Sequence, residues 1–329
     1  MKLWKQTLAL CLTALLLLTA CGKQEAPETP EAPEEEAITM QVGALKGPTA
    51  MGLAMLEGTE GDDPRYALTI GASADELTPG LLKGDLDVAC VPANLAAVLY
   101  NQTEGDVVVL GINTLGVLYI VENGNAVQSM ADLEGKTMVA SGKGSTPEYA
   151  LRYLLEENGV NPDGGVIIDW KSEHSECVSA LASGAATIAM LPQPFVTVAQ
   201  GKMGELRTAL DLTAEWDALD NGSALLTGVV VSTRDFVEAH PQAVADFLTD
   251  YAASVEAVNA DPAAAAVKIG KLGIVEAAVA EKALPACNIV CITGADMQEK
   301  LSGYLQVLFD AAPDSVGGAM PGDDFYYGA

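Results

Sequence analysis

Ser141-Gly142-Lys143-Gly144-Ser145-Thr146 decides how this chain is read, because a shorter version of it occurs earlier as Lys46-Gly47-Pro48-Thr49. Each copy follows a strand-like run: Lys136 to Ala140 for the later one, Ile38 to Val42 for the earlier. Each also precedes a helix-like run. After the later copy, Thr146 is placed to cap and Pro147 suits the first helical position. Leu151, Leu154 and Leu155 then share one face, and Gly159 ends the run. A glycine loop that opens a helix leaves backbone N–H groups without intrahelical partners, with the positive end of the helix dipole behind them. Such a loop suits an anion or a polar ligand edge. An ordinary βα turn has the same composition, so the duplication is what favours a shared ligand.

The repeat runs further. Leu81 to Pro92, with Gly84 and Ala89, pairs with Leu181 to Pro192, with Gly184 and Ala189, at a constant offset of 100 residues (184 − 84, 192 − 92). Glu76 and Glu176 keep that offset, as do Leu68 and Ile168, whereas the two Lys-Gly loops are 143 − 46 = 97 apart. Each half therefore reads strand, Lys-Gly loop, helix, strand, helix, Gly-turn, strand, Pro-loop, helix. An alternating β/α order, met twice, predicts an α/β protein with two parallel-sheet lobes. Ligands of such sheets bind beyond the carboxyl ends of the strands, so the two Lys-Gly loops should face each other across a cleft.

The N-terminus reads as targeting rather than fold. Lys2 and Lys5 precede an apolar run from Leu8 to Leu18 that is short for a membrane span. Leu18-Thr19-Ala20-Cys21 resembles a bacterial lipobox, which predicts a signal peptide over 1–20, lipidation of Cys21 and an anchor of two or more acyl chains. The Glu-, Pro- and Ala-rich stretch 21–37 cannot bury a core and serves as an acidic tether. The formal charge is −28, or −30 once Lys2 and Lys5 are removed. That sign disfavours nucleic acid and anionic membrane surfaces as partners, leaving the lipid as the only membrane attachment.

Between the two halves, Val107 to Leu110 and Gly116 to Val121 read as strands, and past the second half Thr227 to Ser232 reads as another; these are suited to cross between lobes. Helices are predicted over Arg234–His240, Pro241–Asn259, Pro262–Leu284 and Gly294–Phe309. The domain division follows: lobe 1 over 38–115, lobe 2 over 116–226, then a hinge return with C-terminal helices over 227–329, packed largely on lobe 1. Cys90 and Cys177 fall on buried faces. Cys287 and Cys291 sit in an extended run, where four residues of strand hold them too far apart to bridge.

Asp132-Leu133-Glu134-Gly135-Lys136, the run from Gly144 to Glu148, and Leu181 to Pro194 with Leu191-Pro192-Gln193-Pro194 resemble the substrate-binding proteins of ABC importers. Within these the resemblance is to the nitrate, sulfonate, taurine and thiamine-pyrimidine branch, and it covers the chain after the tether. It implies a two-lobed fold of the periplasmic-binding-protein type II topology, closing on a small molecule and delivering it to permease subunits. The chain is expected to act as a monomer on the extracytoplasmic face of the membrane.

Carried onto this sequence, the family's cleft positions are Lys46, Gly47, Pro48 and Thr49 on lobe 1, and Ser141, Lys143, Gly144, Ser145 and Thr146 on lobe 2. Ala93, Asn94, Gln193 and Pro194 follow the two Pro-loops, and Ser73 and Ser172 follow strands. Trp170 is the aromatic residue nearest these loops, too little to sandwich a flat ring. A small polar or anionic ligand is expected; a neutral heterocycle held by Asn94 and Gln193 is the alternative.

Catalysis finds little support in the residues. Gly142 to Thr146 lacks the spacing of a P-loop, and Pro147 interrupts a dinucleotide fingerprint. His174 and His240 have no metal-ligand spacing, and no Gly-x-Ser-x-Gly elbow is present. No cofactor or metal is expected. An enzyme on the same fold, such as a pyrimidine synthase, and a sensing lipoprotein uncoupled from transport are the competing classes, since fold alone does not fix function.

Overall fold

A computed structural model describes residues 38–61 and 64–329, which belong to one compact unit beginning at Ala37. The proposed signal peptide, the lipobox with Cys21, and the tether lie outside the described residues. The chain opens with β1 (Met40–Leu45), α1 (Pro48–Met51), β2 (Tyr66–Gly71), α2 (Ala74–Lys83), β3 (Val88–Pro92) and α3 (Ala93–Gln102). Strands β4 (Val107–Leu115) and β5 (Leu118–Glu122) lead to a second run: β6 (Thr137–Ser141), α4 (Thr146–Glu157), β7 (Ile167–Lys171), α5 (His174–Ala182), β8 (Ile188–Pro192) and α6 (Phe195–Lys202). Then come β9 (Arg207–Asp211), α7 (Leu212–Asp217) and β10 (Leu226–Thr233). The chain finishes with α8 (Arg234–Ala239), α9 (Pro241–Ala260), α10 (Pro262–Lys271), α11 (Ala277–Ala283), β11 (Ile289–Ile292) and α12 (Gly294–Ala311).

Two sheets result, ordered β11-β4-β10-β3-β1-β2 and β7-β6-β8-β5-β9. The repeated halves supply matching parallel trios, β2-β1-β3 and β7-β6-β8. Each trio accepts one antiparallel strand at the same place: Gly228 of β10 lies opposite Pro92, and Leu118 of β5 opposite Pro192. The duplication seen as a 100-residue offset is thus a duplication of sheet topology.

Period-two alternation sorts these strands between cores. In β4, Val107 and Val109 join a core that also holds Leu118, Ile120, Met138 and Met190 of the second sheet, while Val108 and Leu110 face a core under α9 to α11. In β5, Tyr119 and Val121 turn instead to a third core with α5 and α6. On α4, Leu151, Leu154 and Leu155 are fully buried, as the helical spacing predicts, and Gly159 follows at φ 76°.

Three local expectations need correction. The helix after Lys46-Gly47 is a single turn, and just past it Gly52 brings the backbone against Tyr251: a Cβ there would sit 2.4 Å from its hydroxyl oxygen. The cap of α4 is Ser145 rather than Thr146, and Ser145 spends its hydroxyl on the Gly142 carbonyl. The single helix predicted over Pro262–Leu284 is two. Gly273 at φ 70° ends α10, and Gly270 lets α11 fold back until its would-be Cβ is 3.2 Å from that of Ala277. The break carries Ile274 and Val275 to the loops of the sheets, and α11 reaches α6 of the second lobe. The last helix, α12, lies against both α3 and α4, its Tyr304 ring 5.7 Å from Trp216.

The sheets exchange chain where Leu115 pairs with Leu226. Gly116 turns the chain here, with its carbonyl accepting from Asn288 Nδ2. A Cβ on Gly116 would lie 2.2 Å from Thr213 Oγ1 and 2.9 Å from Leu225 Cδ2. Gly116→Ala is therefore expected to cost about 1–3 kcal/mol through overpacking. Urea unfolding followed by tryptophan fluorescence measures this, and an unchanged midpoint would contradict the crowding.

Candidate ligand-binding cleft

The carboxyl ends of the parallel trios meet at two adjoining cavities. The inner one, about 240 Å³, is walled by Leu45 to Thr49, Pro92 and Thr227 from the first sheet's side. Leu118, Ser145 to Pro147, His174 and Pro192 to Phe195 wall it from the second's. The outer cavity, about 670 Å³, shares Lys46, Gly47, His174, Pro194 and Phe195, and adds Ala72, Ser141, Gly142, Ser172, Glu173, Ser175, Ile274 and Val275. The two Lys-Gly loops thus contribute to the same walls.

The duplicated glutamates explain why some loop donors are already taken. Glu76 accepts from the Ala72 N–H at 2.9 Å and Glu176 from the Ser172 N–H at 2.8 Å, each carboxylate folding back over the start of its helix. Glu148 does the same to the Gly144 N–H at 2.7 Å. A carboxylate at a helix N-terminus satisfies orphan donors and complements the dipole. Among the described residues, the N–H groups of Gly47, Thr49 and Thr146 keep no such partner. Of the side chains on these walls, Lys46 is exposed and Glu173 contributes a carboxylate to the outer cavity. Much of the inner wall is apolar: Pro48, Pro92, Pro147, Pro192 and Pro194 with Leu45, Leu118 and Phe195.

Other polar side chains hold the walls together. Thr146 Oγ1 donates to Asn94 Oδ1 at 3.2 Å across the lobes, and Asn94 Nδ2 donates to the Ser315 carbonyl. Gln193 Oε1 accepts from Thr197 Oγ1 at 2.9 Å. Thr49 Oγ1 donates to the Leu45 carbonyl. Beneath Thr49, the buried Asn113 donates to its carbonyl, and a Cβ at Gly228 would meet both Thr49 and Asn113 within 2.5 Å. The glycine at this point of β10 is what lets the first-lobe loop sit close to the crossing strand.

Lys46, Gly47, Pro48, Thr49, Ser145, Thr146, Gln193 and Pro194 stand on the inner wall, and Ser141 and Ser172 on the outer. Asn94 stands behind Thr146, and Ala93 is fully buried in the core. Lys143, Gly144 and Ser73 are exposed and belong to neither wall. Trp170 packs against the core shared by the sheets.

Sequence reading missed two wall residues with ring side chains. His174 lies two residues past Ser172, and Phe195 directly follows the Pro-loop. Their rings pack 5.0 Å apart. Position next to a named loop residue was the available signal for both. His174 Nδ1 forms a short hydrogen bond with the hydroxyl of Ser141, itself buried at the end of β6. Burial lowers the His174 pKa from the usual value, and only the Glu173 carboxylate pulls it back up. The cysteines sit apart: Cys90, Cys177, Cys287 and Cys291 are free thiols, and burial pushes Cys90 and Cys287 up to about 12.

A histidine with a lowered folded-state pKa binds fewer protons folded than unfolded. Its contribution to stability is then intact above the ordinary value of about 6.5, falls as the pH drops below it, and levels off beneath the folded value. Urea midpoints measured downward from neutral pH should show this loss, and His174→Gln should remove that component. An identical pH profile in both proteins would contradict the burial of the ring.

No group of His, Cys, Asp and Glu among the described residues is arranged to hold a metal ion, and no described helix is long and apolar enough to cross a membrane. Comparison with known proteins places this geometry. No curated protein sequence matches the chain. Solved structures with the same fold include an ABC transporter protein from Parabacteroides distasonis, 22% identical, with a TM-score of 0.74 over 88% of this chain and 98% of that one. The periplasmic aliphatic sulphonate-binding protein of Escherichia coli is 15% identical, with a TM-score of 0.68 over 85% and 95%. The alkanesulfonate-binding protein of Xanthomonas axonopodis pv. citri, solved bound to MOPS, is 17% identical, with a TM-score of 0.63 over 88% and 96%. These likenesses bear out the α/β fold with two sheets of the type II arrangement. Residues 60–281 match the family of ABC-transporter phosphonate periplasmic substrate-binding proteins, and the chain belongs to that family.

Proposed function

We propose that the protein captures a small organic oxyanion in the inner cavity and delivers it to the permease of an ABC importer. One observation carries the reading. Both lobes wall a single small cavity in which Gly47, Thr49 and Thr146, whose N–H groups have no partner, and Lys46, His174, Gln193 and Thr227 accompany a mostly apolar surface. Partnerless backbone donors and one cation favour a compact negative head, while the prolines, Leu118 and Phe195 favour a short hydrocarbon portion. A phosphonate or sulfonate has both parts. Membership of a phosphonate-binding family and likeness to sulfonate-binding proteins support the same class.

The lobes of this reading are 38–115 and 116–226, with 227–329 returning through β10 to the first sheet. Closure turns on the crossings at Gly116 and near Thr227. Binding shared between two bodies gains most when both contact the ligand. The mature protein begins at Cys21, carries lipid there, and stands off the extracytoplasmic face of the membrane on the 21–37 tether as a monomer.

Thermal shift across short alkyl sulfonates, phosphonates, carboxylates, pyrimidines and sugars tests the ligand class. A ligand at about a hundred times its Kd adds about 2.7 kcal/mol of stability. Alkyl oxyanions should raise Tm, and Lys46→Gln should shrink that rise. Stabilisation by neutral ligands alone would contradict the reading. For the anchor, Cys21→Ser should abolish lipid modification and membrane partition; an unmodified Cys21 in the native mature protein, seen by mass spectrometry, would contradict it.

A further inference from the structure

We propose that the α10–α11 connection is a third wall of the ligand site, with Val275 setting how long a hydrocarbon chain the captured oxyanion carries. This rests on the oxyanion reading of the inner cavity and goes beyond it, since that reading needs only the two duplicated lobes. The inner cavity, about 240 Å³, has room for the charged head and the first carbons of a ligand. The outer one is about 670 Å³, a size that suits a second portion of a larger molecule. Pro194 and Phe195 line both cavities and mark an apolar path from one to the other.

Two unlike groups line the outer cavity. Ser141, Ser172, Glu173 and Ser175, from the ends of β6 and β7, are polar. Ile274 and Val275, from the C-terminal helices, are apolar and join Phe195. Val275 and Phe195 are only half-buried, so each leaves hydrocarbon surface for a ligand chain to cover. Covering such surface is favourable in proportion to the apolar area removed from water. Neither Ile274 nor Val275 lies in a duplicated half, so this wall has no equivalent on the other lobe.

A wall that measures length must hold still, and this connection is held from both lobes. Gly273, at φ 70°, ends α10, and the Ile274 N–H donates back to the Ile269 carbonyl at 3.2 Å. The Ile274 side chain is buried in the core under α9 to α11, which leaves Val275 as the residue free to meet a ligand. From the second lobe, α6 packs on α11, and Tyr119 Oη donates to the Ala286 carbonyl at 2.9 Å just past that helix. Val275 is thereby kept on the same cavity wall as Phe195.

A chain-length series tests this. Ethane-, butane-, hexane- and octanesulfonate carry the same head, so differences in affinity, by calorimetry, report the chain. Affinity should rise about two- to fourfold per added methylene until the chain passes Val275, then level off. Val275→Asn leaves the charge of the cleft unchanged. It should lower hexanesulfonate affinity by about fivefold or more and leave ethanesulfonate within about twofold. In the unmutated protein, nuclear Overhauser contacts should join the terminal methyl of bound hexanesulfonate to the Val275 methyls, with Val275→Ile giving the assignment. These contacts decide the matter even if Val275→Asn folds poorly. No gain from longer chains, a gain unchanged by Val275→Asn, or a bound hexyl chain without contacts to Val275 would each overturn the inference and leave the oxyanion reading standing. Absence of binding at every chain length, beside stabilisation by neutral ligands, would remove both.

Discussion

The position of the cleft depends on one pairing constraint: each parallel trio takes its antiparallel strand at the end where its own loops emerge. Gly228 lies opposite Pro92 and Leu118 opposite Pro192. The strands that carry the chain between sheets therefore start beside the loops that follow β1, β3, β6 and β8. Proline at both corners ends the parallel strand without an unmet donor, since it has no N–H. The inner cavity forms where the crossings and loops coincide. Moving a crossing to the other end of a sheet would separate the two Lys-Gly loops by the length of a strand.

Much of this was legible because duplication repeats chemistry as well as pattern. Glu76 and Glu176 share an offset and also share a task, each accepting from the N–H two residues before its helix begins. Gly84 and Gly184 occupy left-handed turns at the same point of each half. Val107 to Leu110 was legible as a strand, while the sorting of its two faces between two cores emerges only in the fold. What escaped the sequence were contacts fixed by close approach between distant segments. The backbone just past the single turn at Pro48 packs at Gly52 on Tyr251, some two hundred residues away. The break at Gly273 turns a helix-like run into two helices and brings Ile274 and Val275 to the cleft.

Site residues were legible to the extent that they sit on repeated loops. Thr49 and Thr146 occur in corresponding motifs and line one cavity from its two sides. Lys143 has the same motif position as Lys46 yet lies exposed and on neither wall, although Gly142, Ser145 and Thr146 of the same loop line the cavities. His174 and Phe195 have no counterpart in the first half, so the repeat gave no reason to select them. An asymmetric pair on a symmetric frame is where ligand discrimination is most economically built. It also lets a strongly acidic chain carry a site suited to the proposed oxyanion. The formal charge of −28 is that of the whole sequence, whereas the inner cavity is lined by Lys46 and His174 and, among the described residues, by no carboxylate.

The central claim is that loops from both halves form a single ligand site. A crystal structure of the protein with ethanephosphonate tests it most directly. The account predicts the phosphonate oxygens within hydrogen-bond distance of the Thr49 and Thr146 backbone N–H groups together, with the ethyl group against Pro194 and Phe195. A phosphonate bound through one half alone, or at a surface away from both Lys-Gly loops, would contradict it.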